Sequence, residues 1–146
     1  MTENLILNLV LFWSGCYKGM DEGQPYVLNP DIWQVIGATS AEATKTMPSS
    51  FGAAIPNPAK DCSYFTSSTW SVWSLFIAPT VLQNRFPEEC YYKQFCSLIG
   101  RLNLCLQFKI SKKDIDNIKS GIHKWVVNYE WCIPPPLSFP KSRTLI

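Results

Sequence analysis

Histidine is almost missing from this chain: His123 is the only one. The six cysteines, Cys16, Cys62, Cys90, Cys96, Cys105 and Cys132, include no C-x-x-C pair. Those two shortages argue against a tetrahedral zinc site, which draws its ligands from closely spaced cysteines and histidines. Charge is also scarce, at 16% of residues with a net of +2, too little to bind nucleic acid by bulk attraction. Long apolar runs are missing too. The longest, Trp70 to Leu82, is interrupted by Ser71, Ser74, Pro79 and Thr80 and falls short of the ~20 residues of a membrane span. Leu5 to Trp13 is apolar apart from Asn8, but no Lys or Arg precedes it and Glu3 has the wrong sign for a secretory signal. Trp13-Ser14-Gly15-Cys16 has the outline of a lipoprotein cleavage site without the basic start. The expectation is a soluble chain with neither a secretory signal nor a membrane segment. No G-x-S-x-G, G-x-x-x-x-G-K-[ST], H-E-x-x-H or EF-hand loop occurs, so no enzyme constellation is visible and no cofactor is expected.

What the chain does have is apolar material at helical spacing. Its 146 residues are the length of one domain, and 47% hydrophobic with 14% aromatic residues can fill a core. The best-marked stretch runs from Tyr91 to Trp131 and reads as two helices joined by a corner. Tyr91, Phe95, Leu98, Leu102 and Cys105 form one stripe, widened by Ile99 and Leu106, with Leu104 and Phe108 on another side. A helix apolar on several sides belongs inside a bundle. Beyond the corner, Ile115, Ile118, Ile122, Trp125, Val126 and Tyr129 form a second stripe. Ser111 and Asp114 have the spacing of a reciprocal capping box, and Ile110 and Ile115 that of a hydrophobic staple.

Upstream, Glu3 to Trp13 reads as a short helix stopped by Gly15. Asn29-Pro30-Asp31 is a helix start, with Asn as cap and Pro in the first turn, for a helix reaching about Thr46. Pro48 to Phe65 is a long loop punctuated by Pro48, Gly52, Pro56 and Pro58; loops of that length tend to be functional or to wrap over a neighbour. Thr66 or Ser67 caps a helix carrying Trp70, Trp73, Ile77 and Val81 on one face, which Pro79 should kink. Pro87 is expected at the first helical position of the Tyr91 helix, with Glu88 and Glu89 in its first turn. After Trp131, Ile133-Pro134-Pro135-Pro136 and Pro140 permit only an extended tail. The expected fold is all-α: an irregular bundle of about five helices over residues 1–131, a long Pro/Gly-containing loop, and a Pro-rich tail over 132–146.

Chemistry-bearing candidates are few. Lys109, Lys112, Lys113 and Lys119 gather at the corner, where a helix start with basic neighbours can meet phosphates. Asp114 and Asp116 dilute that charge, and a solvated helix end is the plainer reading. His123 lies beside the apolar stripe, next to Lys124, and reads as a solvated or partly packed histidine. Asp21-Glu22 in a Gly-rich loop would want further oxygen ligands to hold a cation. Cys105 falls on the stripe and reads as a small core residue, and all six cysteines as reduced intracellular thiols.

Several stretches also carry a likeness. Asn4-Leu5-Ile6 with Leu9 to Trp13, Tyr17-Lys18-Gly19-Met20-Asp21-Glu22-Gly23, Trp33-Gln34-Val35-Ile36-Gly37, Met47-Pro48-Ser49-Ser50-Phe51-Gly52-Ala53 with Ile55-Pro56-Asn57, Thr69-Trp70-Ser71-Val72-Trp73, Tyr91-Tyr92-Lys93-Gln94-Phe95, Leu104-Cys105-Leu106-Gln107-Phe108 with Ile110, and Lys124-Trp125 with Tyr129-Glu130 follow one another in this order. Over Glu3 to Glu130 the chain resembles fungal transposases of the CACTA (En/Spm) class. The resemblance implies a helical region following the catalytic Asp motif of an RNase H-like, divalent-metal core. It carries no catalytic residue onto any position here. From Trp131 to Ile146 the family pattern is left, so the likeness implies a truncated or mis-spliced segment, inactive alone. Its implied location is intracellular, nuclear if functional. The implied partners are DNA through phosphates, the absent transposase core, or a second copy of the chain. Without that core, Trp13, Trp33 and Phe51 are expected to stay partly exposed as an association-prone patch. The alternative is a domesticated helical protein-interaction module with no nucleic-acid role.

Overall fold

The computed structural model describes residues 2–19 and 23–132. Within them the chain is all-α, with five helices and no strand. Asp21-Glu22 and the Pro-rich stretch from Ile133 onward lie outside the described residues.

Helix α1 (Thr2–Ser14) buries Ile6, Leu9, Val10 and Trp13, one apolar stripe at spacing i, i+3, i+4, i+7. It ends in a two-bond glycine cap. Gly15 takes φ +74, its N–H reaches the Phe12 carbonyl at 3.2 Å, and the Cys16 N–H reaches the Leu11 carbonyl at 2.9 Å. The chain then doubles back, and the Leu28 N–H donates to the Trp13 carbonyl at 2.7 Å. Helix α2 (Pro30–Thr44) starts as its residues dictate: Asn29 Oδ1 accepts from the Asp31 N–H at 2.8 Å, and Pro30 opens the first turn.

The long loop wraps. Ile55, Pro58 and Phe65 are buried, and two short 3-10 turns, Ser49–Phe51 and Cys62–Tyr64, shape the path. It lies so close to α2 that a Cβ at Gly37 would run into Asn57 Oδ1 and the Ala59 Cβ. Asn57 is itself fixed there, because its Oδ1 accepts from the Ala59 N–H at 2.9 Å.

Helix α3 has three parts: α-helical Ser67–Val72, a π-turn over Trp73–Ile77, and α-helical Ala78–Val81. Thr66 is the cap, accepting from the Thr69 N–H at 3.3 Å. The expected disturbance by Pro79 takes the form of that π-turn. Proline lacks an N–H and its ring crowds the carbonyl four residues back, and the widened turn before it, in which the Ala78 N–H reaches back to Trp73, accommodates both. The α3 face Trp70, Trp73, Ile77 and Val81 is buried. The indole of Trp73 is matched in the core: its N–H donates to Ser40 Oγ at 3.0 Å, and the Ser40 hydroxyl donates to the Ile36 carbonyl at 2.8 Å.

Helices α4 (Glu89–Cys105) and α5 (Lys112–Cys132) complete the bundle as a packed pair. Several expectations need correction. Helix α4 begins at Glu89, so Pro87 precedes the helix and Glu88 is its cap residue. Trp13 and Trp33, expected at the surface, are 1% and 7% exposed, while Phe51 is exposed at 41%. The core gathers α1, α2, α3, the first half of α4 and, from α5, Trp125, with Trp13 edge-on to Phe86 and Phe95 at 5.5 and 5.3 Å. The α4–α5 pair therefore flanks the core and does not form its centre. Buried positions on α4 stop at Ile99; Cys105 is exposed and not a core residue. On α5 only Gly121 and Trp125 are buried, and Ile115, Ile122 and Val126 of the predicted stripe stay about two-fifths exposed.

Candidate nucleic-acid interface

The corner is built from two helix ends. Helix α4 stops without glycine or proline: Leu106 closes it, its N–H shared between the Leu102 and Asn103 carbonyls. The connection that follows is open to solvent, with Leu106 and Ile110 exposed and Phe108 fully so. Helix α5 then starts on the reciprocal box written in the sequence. The Asp114 N–H donates to Ser111 Oγ at 3.2 Å, while Asp114 Oδ2 accepts from the Ser111 N–H at 2.9 Å and from its hydroxyl at 2.6 Å. These bonds, the Ser111 hydroxyl first and its backbone N–H second, hold the Asp114 carboxyl below its usual range and keep it ionised. Ile110 and Ile115 occupy the staple positions but both remain about two-fifths exposed.

All four predicted lysines are exposed. Lys109, Lys112 and Lys113 are brought together by the turn itself, and Lys119 follows Lys112 two turns along the same side of α5. The ion pairs among the described residues lie elsewhere, Lys45 with Glu42 and Lys93 with Glu89 at 3.1 Å, so none of the four is neutralised by a salt bridge. Lys112 and Lys113 fill the first turn of α5, where the helix dipole favours acidic side chains. Asp114 is engaged by the cap, and Asp116 is the other acidic residue at this end. The corner keeps a surplus of positive charge beside an aromatic ring facing water.

Phe108 is the residue that sequence reading misassigned, as one more apolar position on a continuing helix. The sequence contains no breaker between Cys105 and Phe108 to signal otherwise. His123 is exposed, as expected for a solvated side chain. Farther along the pair, Arg101 lies across Gly121, and the Trp125 indole N–H donates to the Gln94 carbonyl at 2.7 Å, stacking on Tyr129 at 5.0 Å. Burial raises the hydroxyl pKa of Tyr129, and that of Tyr91 to about 12. Among the described residues no group of three or more His, Cys, Asp or Glu side chains is placed to hold a metal ion, and no helix is long and apolar enough to cross a membrane. Comparison with known proteins finds no matching family model, no matching curated relative and no matching solved structure.

Proposed function

We propose that this chain is a helical segment derived from a DDE-type DNA transposase, without catalytic residues of its own, whose remaining activity is contact with DNA phosphates at the α4–α5 corner. The observation that supports this is the pair Lys112 and Lys113 in the first turn of α5. Helix stability disfavours cations there, so their placement beside Lys109 and Lys119 suits an anionic partner better than it suits the fold. The order of the transposase-like words from Glu3 to Glu130 points the same way. A second reading, a helical protein-interaction module, draws on the exposed apolar row Ile115, Ile122 and Val126 with Trp131.

Fluorescence anisotropy with a labelled duplex, repeated over a salt series, separates the two. Phosphate contact gives weak, sequence-tolerant binding that falls steeply with salt. Changing Lys109, Lys112 and Lys113 together to Ala lowers the log–log salt slope by about 2–3. Binding that ignores salt, or survives the triple change, sinks the DNA reading and leaves the protein-interaction one.

A further inference from the structure

We propose that Cys90 and Cys132 are a disulfide-forming pair, which staples the C-terminal end of α5 to the first turn of α4 when the protein meets a peroxide or a small-molecule disulfide. Sequence spacing hides the pair, but the helical hairpin reveals it. Arg101 and Gly121, which touch, stand ten residues either side of Ser111; Cys90 and Cys132 stand twenty-one either side. The same antiparallel register therefore brings Cys132 against the part of α4 that carries Cys90: Cys132 Sγ meets the side chain of Gln94, one turn on from Cys90. Both are half-buried and pack against the cluster formed by Tyr26 and Tyr91. Each is also held from the side, Cys132 Sγ by the Gln94 side-chain N–H at 4.0 Å and Cys90 Sγ by Glu88 Oε2 at 3.7 Å. Cys16, Cys62 and Cys105 are exposed instead, and Cys96 packs against the main core, not against the Tyr26–Tyr91 cluster.

With hydrogen peroxide the chemistry takes two steps. The Cys132 thiolate attacks one peroxide oxygen, the O–O bond breaks, and hydroxide leaves, taking up the thiol's proton as water. The resulting sulfenic sulfur is attacked by Cys90; the S–O bond breaks, the S–S bond forms, and a second water leaves with the Cys90 proton. Two thiols and one peroxide become one disulfide and two waters. Burial, followed by the neighbouring Cys132 and the Glu88 carboxylate, pushes the Cys90 thiol up, which disfavours Cys90 as the first attacker and leaves that step to Cys132. With a small disulfide such as oxidised glutathione, Cys132 forms the mixed disulfide and Cys90 displaces the small thiol.

The test oxidises the reduced full-length chain with hydrogen peroxide or oxidised glutathione, then maps its peptides without reduction. The expected product is monomeric, two hydrogens lighter, and carries a Cys90–Cys132 link that a reductant reverses. Closing so long a loop raises the melting temperature by ~10 °C. Cys132→Ser abolishes both the link and the rise, whereas Cys16→Ser, Cys62→Ser and Cys105→Ser retain both. A bridge mapped to other cysteines, overoxidation of Cys132 with no bridge, or a link that leaves the melt unchanged overturns the proposal. The wild-type map decides alone if Cys132→Ser fails to fold.

Discussion

Trp13 and Trp131 each stand near the end of a helix, yet Trp13 is 1% exposed and Trp131 83%. The difference lies in what covers each helix. Around α1 the chain returns from several directions: Leu28 and Phe86 arrive from connections, Trp70 and Trp73 from α3, Phe95 from α4. Its backbone is tied in as well, through the Leu28 N–H on the Trp13 carbonyl. Helix α5 leans chiefly on α4, and its outer flank faces water. The seam between α4 and α5 is also less well satisfied. Gln94 Oε1 is the one buried side-chain polar atom among the described residues with no hydrogen-bond partner. Apolar periodicity reports which side of a helix would be buried if something lay against it; whether anything does depends on the path of the connections.

The sharpest way to break this contrast is to truncate the two tryptophans. Trp13→Ala should cost ~3–5 kcal/mol, the range for a large aromatic lost from a closed core. Trp131→Ala should stay within about 0.5 kcal/mol, as for an exposed side chain without fixed partners. Chemical denaturation followed by circular dichroism at 222 nm reads both. Equal costs would mean that α5 is covered in solution by something outside the described residues.

Two buried glycines give the next test. At Gly37 an added methyl meets Asn57 and Ala59 in a loop already fixed by its own hydrogen bond, so the loop must lift and Gly37→Ala should cost ~1–3 kcal/mol. At Gly121 the obstruction is the guanidinium end of Arg101, which can swing into solvent. The helix-propensity gain of ~1 kcal/mol then offsets the displacement, and Gly121→Ala should be near neutral in a urea melt. A larger cost at Gly121 than at Gly37 would invert the ranking of rigid and yielding regions.

These contrasts mark what the residues disclosed in advance. The start of α2 at Asn29-Pro30-Asp31, the Thr66 cap and the Ser111–Asp114 box are local, each decided within four residues, and each is present. The α3 face was legible because Trp70, Trp73, Ile77 and Val81 keep their period through the π-turn. Tertiary cover was legible only in outline: the length of the Pro48–Phe65 loop pointed to wrapping over a neighbour without saying that the neighbour is α2, and nothing in Leu28 or Phe86 announces that they close over Trp13. Cys105, Leu106 and Phe108 continue an apolar pattern beyond the point where α4 has anything to pack on. At the candidate interface the lysines could be read from sequence, but the exposure of Phe108 depends on a helix end with no breaker residue to predict it.

The smallest effect is expected at the corner itself. The Ser111–Asp114 box satisfies backbone donors at the start of α5 but touches no core side chain, so Ser111→Ala should cost only ~1 kcal/mol, the range for a lost N-cap. Its pH dependence identifies the box more surely than its size does. The folded-state pKa of Asp114 is depressed, so its contribution is present above the ordinary carboxylate value and is lost as pH falls through the lower folded one. The amide of Ser111 donates to Asp114 Oδ2, and that of Asp114 to the serine hydroxyl that the same oxygen orients. Both amides should therefore lose hydrogen-exchange protection, relative to intrinsic rates, as the solution is acidified below about pH 4. In Ser111→Ala the two bonds through the serine hydroxyl are absent at every pH, while the amide of residue 111 keeps Asp114 Oδ2 as its acceptor. Protection at Asp114 should start low and change little with acid, while amides around Trp13 respond the same way in both proteins. An unchanged acid response at Asp114 in the variant would show that α5 is started by the remainder of its first turn, and that the corner's geometry does not depend on the box.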